Sequence, residues 1–331
     1  MRILVTGGAG YIGSVTARRL LAAGHEVEVL DDFSTGHPAA LPPEAVLHRG
    51  SLLDEAFTTD VLARGGFRAV VHFAAFSLVG ESVTDPLKYW RNNVGGGLNL
   101  LRAVSAAGVE RFVFSSTAAV YGEPEDVPIL ESAPTAPVNP YGETKLAVER
   151  ALAAVADQAG VAAVALRYFN ACGADGPLGE DHDPETHLIP RLLRSLLDPA
   201  VGFRIFGDDF PTPDGTCIRD YIHVSDLADA HLRAVEWAAT PGFTALNLGT
   251  GDGTSVREIV DATARVTGRP LDPPVAPRRA GDPARLVAAN GRAAELLGWR
   301  PRRSDVDTVV ADAWAWHTAH PRGYDDADRR A

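Results

Sequence analysis

The chain has 331 residues, 46% of them hydrophobic, and a formal net charge of −12. That length supplies one large or two ordinary domains, and the acidic balance argues against nucleic acid, which selects basic surfaces. No run reaches the ~18 apolar residues a membrane span needs, and the first strand begins at Arg2 with no leader-like segment ahead of it, so a cytoplasmic protein without a membrane partner is expected.

Taken in order, short β-branched runs alternate with amphipathic ones. "RILVT" reads as a strand, "SVTARRLLAAG" as a helix ending at Gly24, "EVEVLD" as a strand, "LLDEAFTTDVLARG" as a helix and "AVVHFAA" as a strand. "PLKYWRNNVGGGLNLLRAVSAAG" reads as a long helix with a glycine-rich waist. "RFVFSS", "KLAVERALAAVADQAG" and "AVALRYFN" then give strand, helix and strand. This rhythm predicts the α/β class: a doubly wound, Rossmann-like parallel sheet covered on both faces, with right-handed crossovers. After Asn170 a polar loop, "ACGADGPLGEDHDPETH", precedes a helix, "LIPRLLRSLL", and a strand, "FRIFG". "TALNLGTG" is a further strand, "SVREIVDATARVTG" a helix, and another helix runs from Asp305 to about His317. Residues 1–170 are expected to form the nucleotide-binding domain and 171–331 a smaller mixed α/β lobe, with about 215–255 partly returning to the main sheet. Cys172 and Cys217 lack metal-ligand spacing and read as free thiols in a reducing compartment. No metal site is expected. The tail "YDDADRR" reads as solvated, and His72, inside an apolar strand, as structural.

"VTGGAGYIGS" sets Gly7, Gly10 and Gly13 between the first strand and the first helix. Glycines there allow a tight turn, close approach of a pyrophosphate and close helix–strand packing, and the helix start offers free N–H groups to phosphate. The next strand ends in Asp31-Asp32, eighteen residues after Gly13. A carboxylate at that place accepts from both ribose hydroxyls and repels a 2′-phosphate, so NAD is expected rather than NADP.

In "VNPYGETKLAVER", Asn139 can cap a helix and Pro140 suits its first position. Tyr141 and Lys145 then share one face at i and i+4. A phenol with an ordinary pKa of about 10 is a poor base at neutral pH, but a nearby ammonium and the positive ring of NAD favour the phenolate. Beside a nucleotide site, the pair suits removal of a hydroxyl proton as hydride leaves the same carbon. Ser115, Ser116 and Thr117 end the fourth strand. Any of them could donate to the substrate oxygen, and the residues alone do not rank them. Downstream, Asn170, His187 at a helix start, Phe206, Arg219, Tyr221, Arg279 and Asp282 suit an anionic, nucleotide-like substrate. Arginine forks bind diphosphate, a carboxylate takes ribose hydroxyls, and a phenylalanine can stack on a base.

The Gly7-xx-Gly10-xx-Gly13 spacing with a Tyr–Lys pair resembles the extended short-chain dehydrogenase/reductase superfamily. The succession "TGGAGYIG", "HFAAFSLVGES", "FVFSSTAAVYG", "NPYGETK", "LRYFNACGA", "DGTCIRDYIHVSDLADAH" and "RRAGDP" resembles, within it, the UDP-glucose 4-epimerase family, over essentially the whole chain. The resemblance implies Tyr141 as acid/base, Lys145 as its partner and Thr117 as the third member. It implies an NAD site of Gly7, Gly10, Tyr11, Ile12, Gly13, Asp31, Asp32, Phe33, Ser51, Leu52, Phe73, Ala74, Ala75, Asn93, Ser115, Tyr141, Lys145 and Tyr168. It also implies a UDP-sugar site of Thr117, Asn170, His187, Leu188, Arg204, Phe206, Arg219, Tyr221, Arg279, Asp282 and Leu286, and a homodimer serving galactose metabolism. Three positions depart from some members: Ser51 replaces an aspartate near adenine, Ser77 a lysine near the pyrophosphate, and Leu286 a tyrosine beside the sugar C2 substituent. The last suggests that N-acetylated UDP-sugars are also accepted. Alternatives are a UDP-arabinose or UDP-glucuronate 4-epimerase, or a nucleotide-sugar 4,6-dehydratase. The dehydratase is disfavoured because "AAVYG" after Thr117 lacks an Asp-Glu pair. A non-enzymatic NAD sensor is the reading from another class.

Overall fold

The computed structural model describes residues 1–279 and 282–324. Most of the "YDDADRR" tail, and Ala280 and Gly281 of "RRAGDP", lie outside the described residues. The first half contains β1 (Arg2–Thr6), α1 (Tyr11–Ala22), β2 (Glu26–Asp31), β3 (Val46–Arg49), α2 (Glu55–Gly65), β4 (Ala69–His72), α3 (Val79–Thr84) and α4 (Pro86–Tyr89). A π-helical turn (Trp90–Gly95) leads into α5 (Gly96–Ala107), followed by β5 (Arg111–Ser115), α6 (Pro140–Ala159), β6 (Ala162–Arg167) and β7 (Asn170–Cys172). The remainder comprises α7 (Leu188–Leu197), β8 (Ile205–Phe206), β9 (Ile218–Arg219), β10 (Tyr221–His223), α8 (Val224–Trp237) and β11 (Gly242–Asn247), then β12 (Thr254–Ser255), α9 (Val256–Thr267), β13 (Val275–Ala276), β14 (Arg285–Leu286), α10 (Gly291–Leu297) and α11 (Val306–Ala319).

Seven parallel strands form the main sheet in the order β3-β2-β1-β4-β5-β6-β11. Both faces are covered, which is why its strands read as continuous apolar runs. Ile3, Val5, Val71 and Val164 pack with Leu227 and Val235 of α8 on one face. Leu4, Val70, Phe112 and Phe114 pack with Leu100, Val104 and Leu152 of α5 and α6 on the other. His72 is buried in this sheet, with its Nδ1 2.7 Å from Thr6 Oγ1 and its ring stacked on Phe114. The edge strand β3 escapes the sequence pattern because Val46 and Leu47 are exposed and only four residues pair.

Beside the sheet, short strands pair as β7–β10, β12–β9–β14 and β13–β8. Helices α7, α9 and α11 enclose a separate core of Ile189, Leu192, Ile259, Val260, Val309 and Val310. The "FRIFG" strand shrinks to Ile205–Phe206. The helix with the glycine waist is broken at that waist by the π turn. There Gly97 lets α5 close on α6, since a Cβ would stand 3.1 Å from Val148 Cγ2. Among the described residues, no helix is long and apolar enough to cross a membrane.

Candidate active site

A cavity of about 990 Å³ opens at the carboxyl ends of the sheet strands and runs from the glycine fingerprint to the loops around Arg279 and Leu286. Gly7 has φ +72°, and a Cβ on it would sit 2.5 Å from Ala74 N. One on Gly13 would sit 2.1 Å from Gly7 O. These two glycines let the turn, the loop after β4 and α1 close on one another, while a Cβ on Gly10 would meet only Gly7 O (3.4 Å), which leaves the helix start open. Helix α1 starts at Gly10 without a side-chain cap, leaving first-turn N–H groups for an anion. Asp31 is buried at the end of β2, and its oxygens accept from Ala9 N (2.9 Å) and Phe33 N (2.8 Å). Burial pushes this carboxyl up, against those hydrogen bonds. These features fit NAD. Tyr11, Ile12, Asp32, Ser51, Leu52, Phe73, Ala74, Ala75 and Tyr168 share the same walls. Phe33 and Asn93 do not: Phe33 lies under the Arg49 guanidinium, and Asn93 is buried behind the wall. Its Oδ1 accepts from Phe76 N (2.9 Å) while its Nδ2 donates to Phe76 O (3.0 Å) and Thr144 Oγ1 (3.2 Å). Asn93 therefore shapes the loop after β4 from behind.

Asn139 Oδ1 caps α6 by accepting from Gly142 N (2.9 Å), with Pro140 in the first turn. This aims Tyr141 and Lys145 into the cavity. Lys145 Nζ donates to Ser115 O (2.9 Å) and stands 5.9 Å from the Tyr141 ring centroid. The three strand-end hydroxyls are sorted by their neighbours. Ser115 shares a 2.5 Å hydrogen bond with Tyr168, Ser116 donates to Glu149, and Thr117, which accepts from Ala119 N (3.1 Å), is the one whose side chain acts on the Tyr141 phenol. Glu149 is itself clamped by Arg167 (3.0 and 2.5 Å) in a buried pair. The electrostatics differ from the sequence expectation. Burial pushes the Tyr141 phenol up to about 12, with Thr117 opposing. Burial also pulls Lys145 down to about 7, with Glu149 opposing. Burial dominates both groups and neither shifts the other, so the Lys145 ammonium alone does not ionise the phenol.

At the far end of the cavity, Asn170, His187, Arg219, Arg279, Asp282 and Leu286 line the wall. Arg219 pairs with Asp282, and Asn170 Nδ2 donates to Asp220 O (3.0 Å). Leu286 lies opposite Arg219 in the β14–β9 register. Leu188, Arg204, Phe206 and Tyr221 are off the wall. Leu188 packs on the lobe core, Tyr221 is buried in β10, and Arg204 is exposed. Phe206 instead supports Arg279, whose guanidinium sits 4.1 Å from its ring centroid. Sequence reasoning missed Glu180, His182 and Arg191 on the wall. The repeated acidic and histidine residues of "GEDHDPETH" were the available signal for the first two.

The chain matches the model of the NAD dependent epimerase/dehydratase family over residues 3–249. It is 54% identical over 326 residues to the UDP-glucose 4-epimerase of Streptomyces lividans, covering 98% of each chain. Its structure is similar to UDP-glucose 4-epimerase from Brucella ovis in complex with NAD (TM-score 0.91, 50% identity, 95% and 97% of the two chains). It is also similar to that from Bifidobacterium longum in complex with NAD+ and UDP (TM-score 0.92, 37% identity, 98% and 100%). A fingerprint shaped for a dinucleotide, a Tyr–Lys–Thr constellation and full-length similarity to these enzymes agree: the chain belongs to the NAD dependent epimerase/dehydratase family, alongside its UDP-glucose 4-epimerases.

Proposed function

We propose that the protein interconverts UDP-glucose and UDP-galactose by inverting the sugar at C4 through a 4-keto intermediate. The observation that carries this reading is one cavity holding both Tyr141 with Thr117 and Lys145, and the Arg219–Arg279 pair. When bound, NAD supplies the site that accepts and returns hydride, and a positive charge near the phenol. Tyr141 takes the O4 proton and later gives it back, a role that requires hydrogen-bond reach to that oxygen. Thr117, on the same cavity wall beside Tyr141, steadies the same oxygen. Lys145, fixed by Ser115 O, holds the nicotinamide ribose and biases the phenol. Arg219 and Arg279 bind the diphosphate, and Asp282 binds the uridine end. Binding energy placed on UDP leaves the hexose free to turn and present its other face. In this reading residues 1–170 hold NAD and 171–331 mainly hold the UDP-sugar.

Leu286 supports a second substrate. A leucine on the wall leaves more room than a tyrosine for a C2 acetamido group, so UDP-N-acetylglucosamine is also turned over. Val83, Leu87, Trp90 and Leu98, spaced four, three and eight residues apart, stay exposed along α3 to α5. They support a homodimer through this face. Two buried, unbonded cysteines support a reducing, cytoplasmic setting. The test is incubation of purified protein, without added NAD, with UDP-glucose, UDP-galactose, UDP-N-acetylglucosamine and UDP-xylose. Interconversion of the first two is expected; turnover of neither overturns the proposal.

A further inference from the structure

The loop between β7 and α7 carries four residues that the reaction does not use together: Glu180, His182, Glu185 and His187. Each offers one ligand atom, and these atoms lie within 4.8 Å of one another. His187 Nδ1 stands 2.9 Å from Glu180 Oε1 and 3.0 Å from Glu185 Oε1. His182 Nδ1 stands 3.3 Å from Glu180 Oε1 and 3.7 Å from Glu185 Oε2. A tetrahedral zinc ion with ligands at ~2.0–2.1 Å places its donors about 3.4 Å apart, which is the middle of these spacings.

A hydrogen-bonded cluster explains them less well. The single Nδ1 of His187 faces two carboxylate oxygens at once. His182 Nδ1 and Glu185 Oε2 are buried and, although 3.3 and 3.7 Å from ion-pair partners, complete no hydrogen bond among the described residues. Buried polar atoms left this way are costly. The two stand 3.7 Å apart, close enough for one ion to take both. Asp181, by contrast, is already occupied by Arg194 (2.8 Å) and by Tyr324 N (2.9 Å).

We propose that Glu180, His182, Glu185 and His187 form a binding site for one divalent cation of the zinc class. Two imidazole nitrogens and two carboxylate oxygens suit zinc and its first-row neighbours, whereas magnesium and calcium select oxygen alone. Without an ion the two carboxylates, working against burial, hold both imidazoles protonated, raising His182 to about 9 and His187 to about 10. A dication bound by two carboxylates and two neutral imidazoles therefore keeps the same zero charge by displacing two protons. Four protein ligands make a closed, structural site. The ion ties residues 180–187 to the start of α7 and firms the cavity wall that Glu180, His182 and His187 share with Arg191. It takes no part in the chemistry, and the site stands whatever sugar is bound. The absence of cysteine spacing hid it from the sequence reading.

The test uses the full chain, treated with EDTA, dialysed into chelator-free buffer and titrated with zinc against a chromogenic chelator. Zinc content and melting temperature are followed in parallel. Wild type is expected to hold one zinc per chain more than the His182→Gln/Glu185→Gln variant, whose residual binding is weaker by on the order of 100-fold. Zinc should raise the melting temperature of wild type, and magnesium or calcium at equal concentration should not. Equal zinc content in wild type and variant, or no stabilisation of wild type by zinc, overturns the proposal. Should the variant fail to fold, the wild-type stoichiometry and melting temperature decide alone.

Discussion

Tyr141 and Lys145 could be read from their spacing because one helical turn brings i and i+4 together whatever the rest of the fold does. Thr117 could not be separated from Ser115 and Ser116 by that route. The partners that occupy the two serines, Tyr168 and Glu149, come from β6–β7 and α6, and only folding delivers them. The same limit applies to the ionisation of the pair: burial is a tertiary property, and here it moves Tyr141 up and Lys145 down. Replacing Tyr141 by Phe removes the proton-transfer group and leaves the ring, so turnover should fall by well over ~100-fold with NAD content little changed. Activity near wild type in Tyr141→Phe would remove the phenol from the mechanism. Leu286→Tyr should selectively depress turnover of the N-acetylated substrate, measured side by side with UDP-glucose. Equal loss on both would show that this side chain does not gate C2.

Among elements, the long helices and inner strands were legible because two buried faces force sustained apolar runs. The glycine waist was visible in the sequence, but its consequence was not. The π turn at Trp90–Gly95 rotates Asn93 inward, where it serves Phe76 and Thr144 and thereby fixes the loop of Phe73–Ala75 along the cavity. A π turn depends on which backbone partners are offered, which no period-3.6 pattern encodes. Asn93→Ala leaves the Phe76 N–H and C=O without their side-chain partner. A loss of about 1–3 kcal/mol in urea-unfolding stability is expected, together with reduced NAD retention after gel filtration. Unchanged retention would place Asn93 outside the support of that wall. Edge strand β3 was illegible because it is short and exposed, and β12, β13 and β14, of two residues each, are too short to carry a pattern, whereas β8 was legible as a strand but read too long.

At the scale of the whole molecule, the proposed dimer face and the buried histidines give two checks. Leu87 is 77% exposed, and Leu87→Asp should shift the protein from dimer to monomer in light scattering. A dimer that persists would move the interface elsewhere. His72, His231 and His317 are held below the ordinary histidine range, at about 3, 4 and 4, with burial as the largest cause in each. Between those values and the unfolded pKa of about 6.5, the unfolded chain binds protons that the folded chain does not, so stability falls as pH drops through this window. The urea midpoint should therefore decline from pH 7 to pH 4.5, and less steeply in His72→Gln. An equal slope would exclude His72 as a source.

In the proposed reaction one carbon of the sugar gives up its hydrogen to a resident nicotinamide and receives the same hydrogen back on the opposite face. UDP-glucose labelled with deuterium at C4, converted in ordinary water without added NAD, measures this directly by mass spectrometry and NMR of the UDP-galactose formed. Deuterium is expected to stay at C4. Complete loss of the label to solvent, or full-rate inversion by protein stripped of NAD, would contradict it.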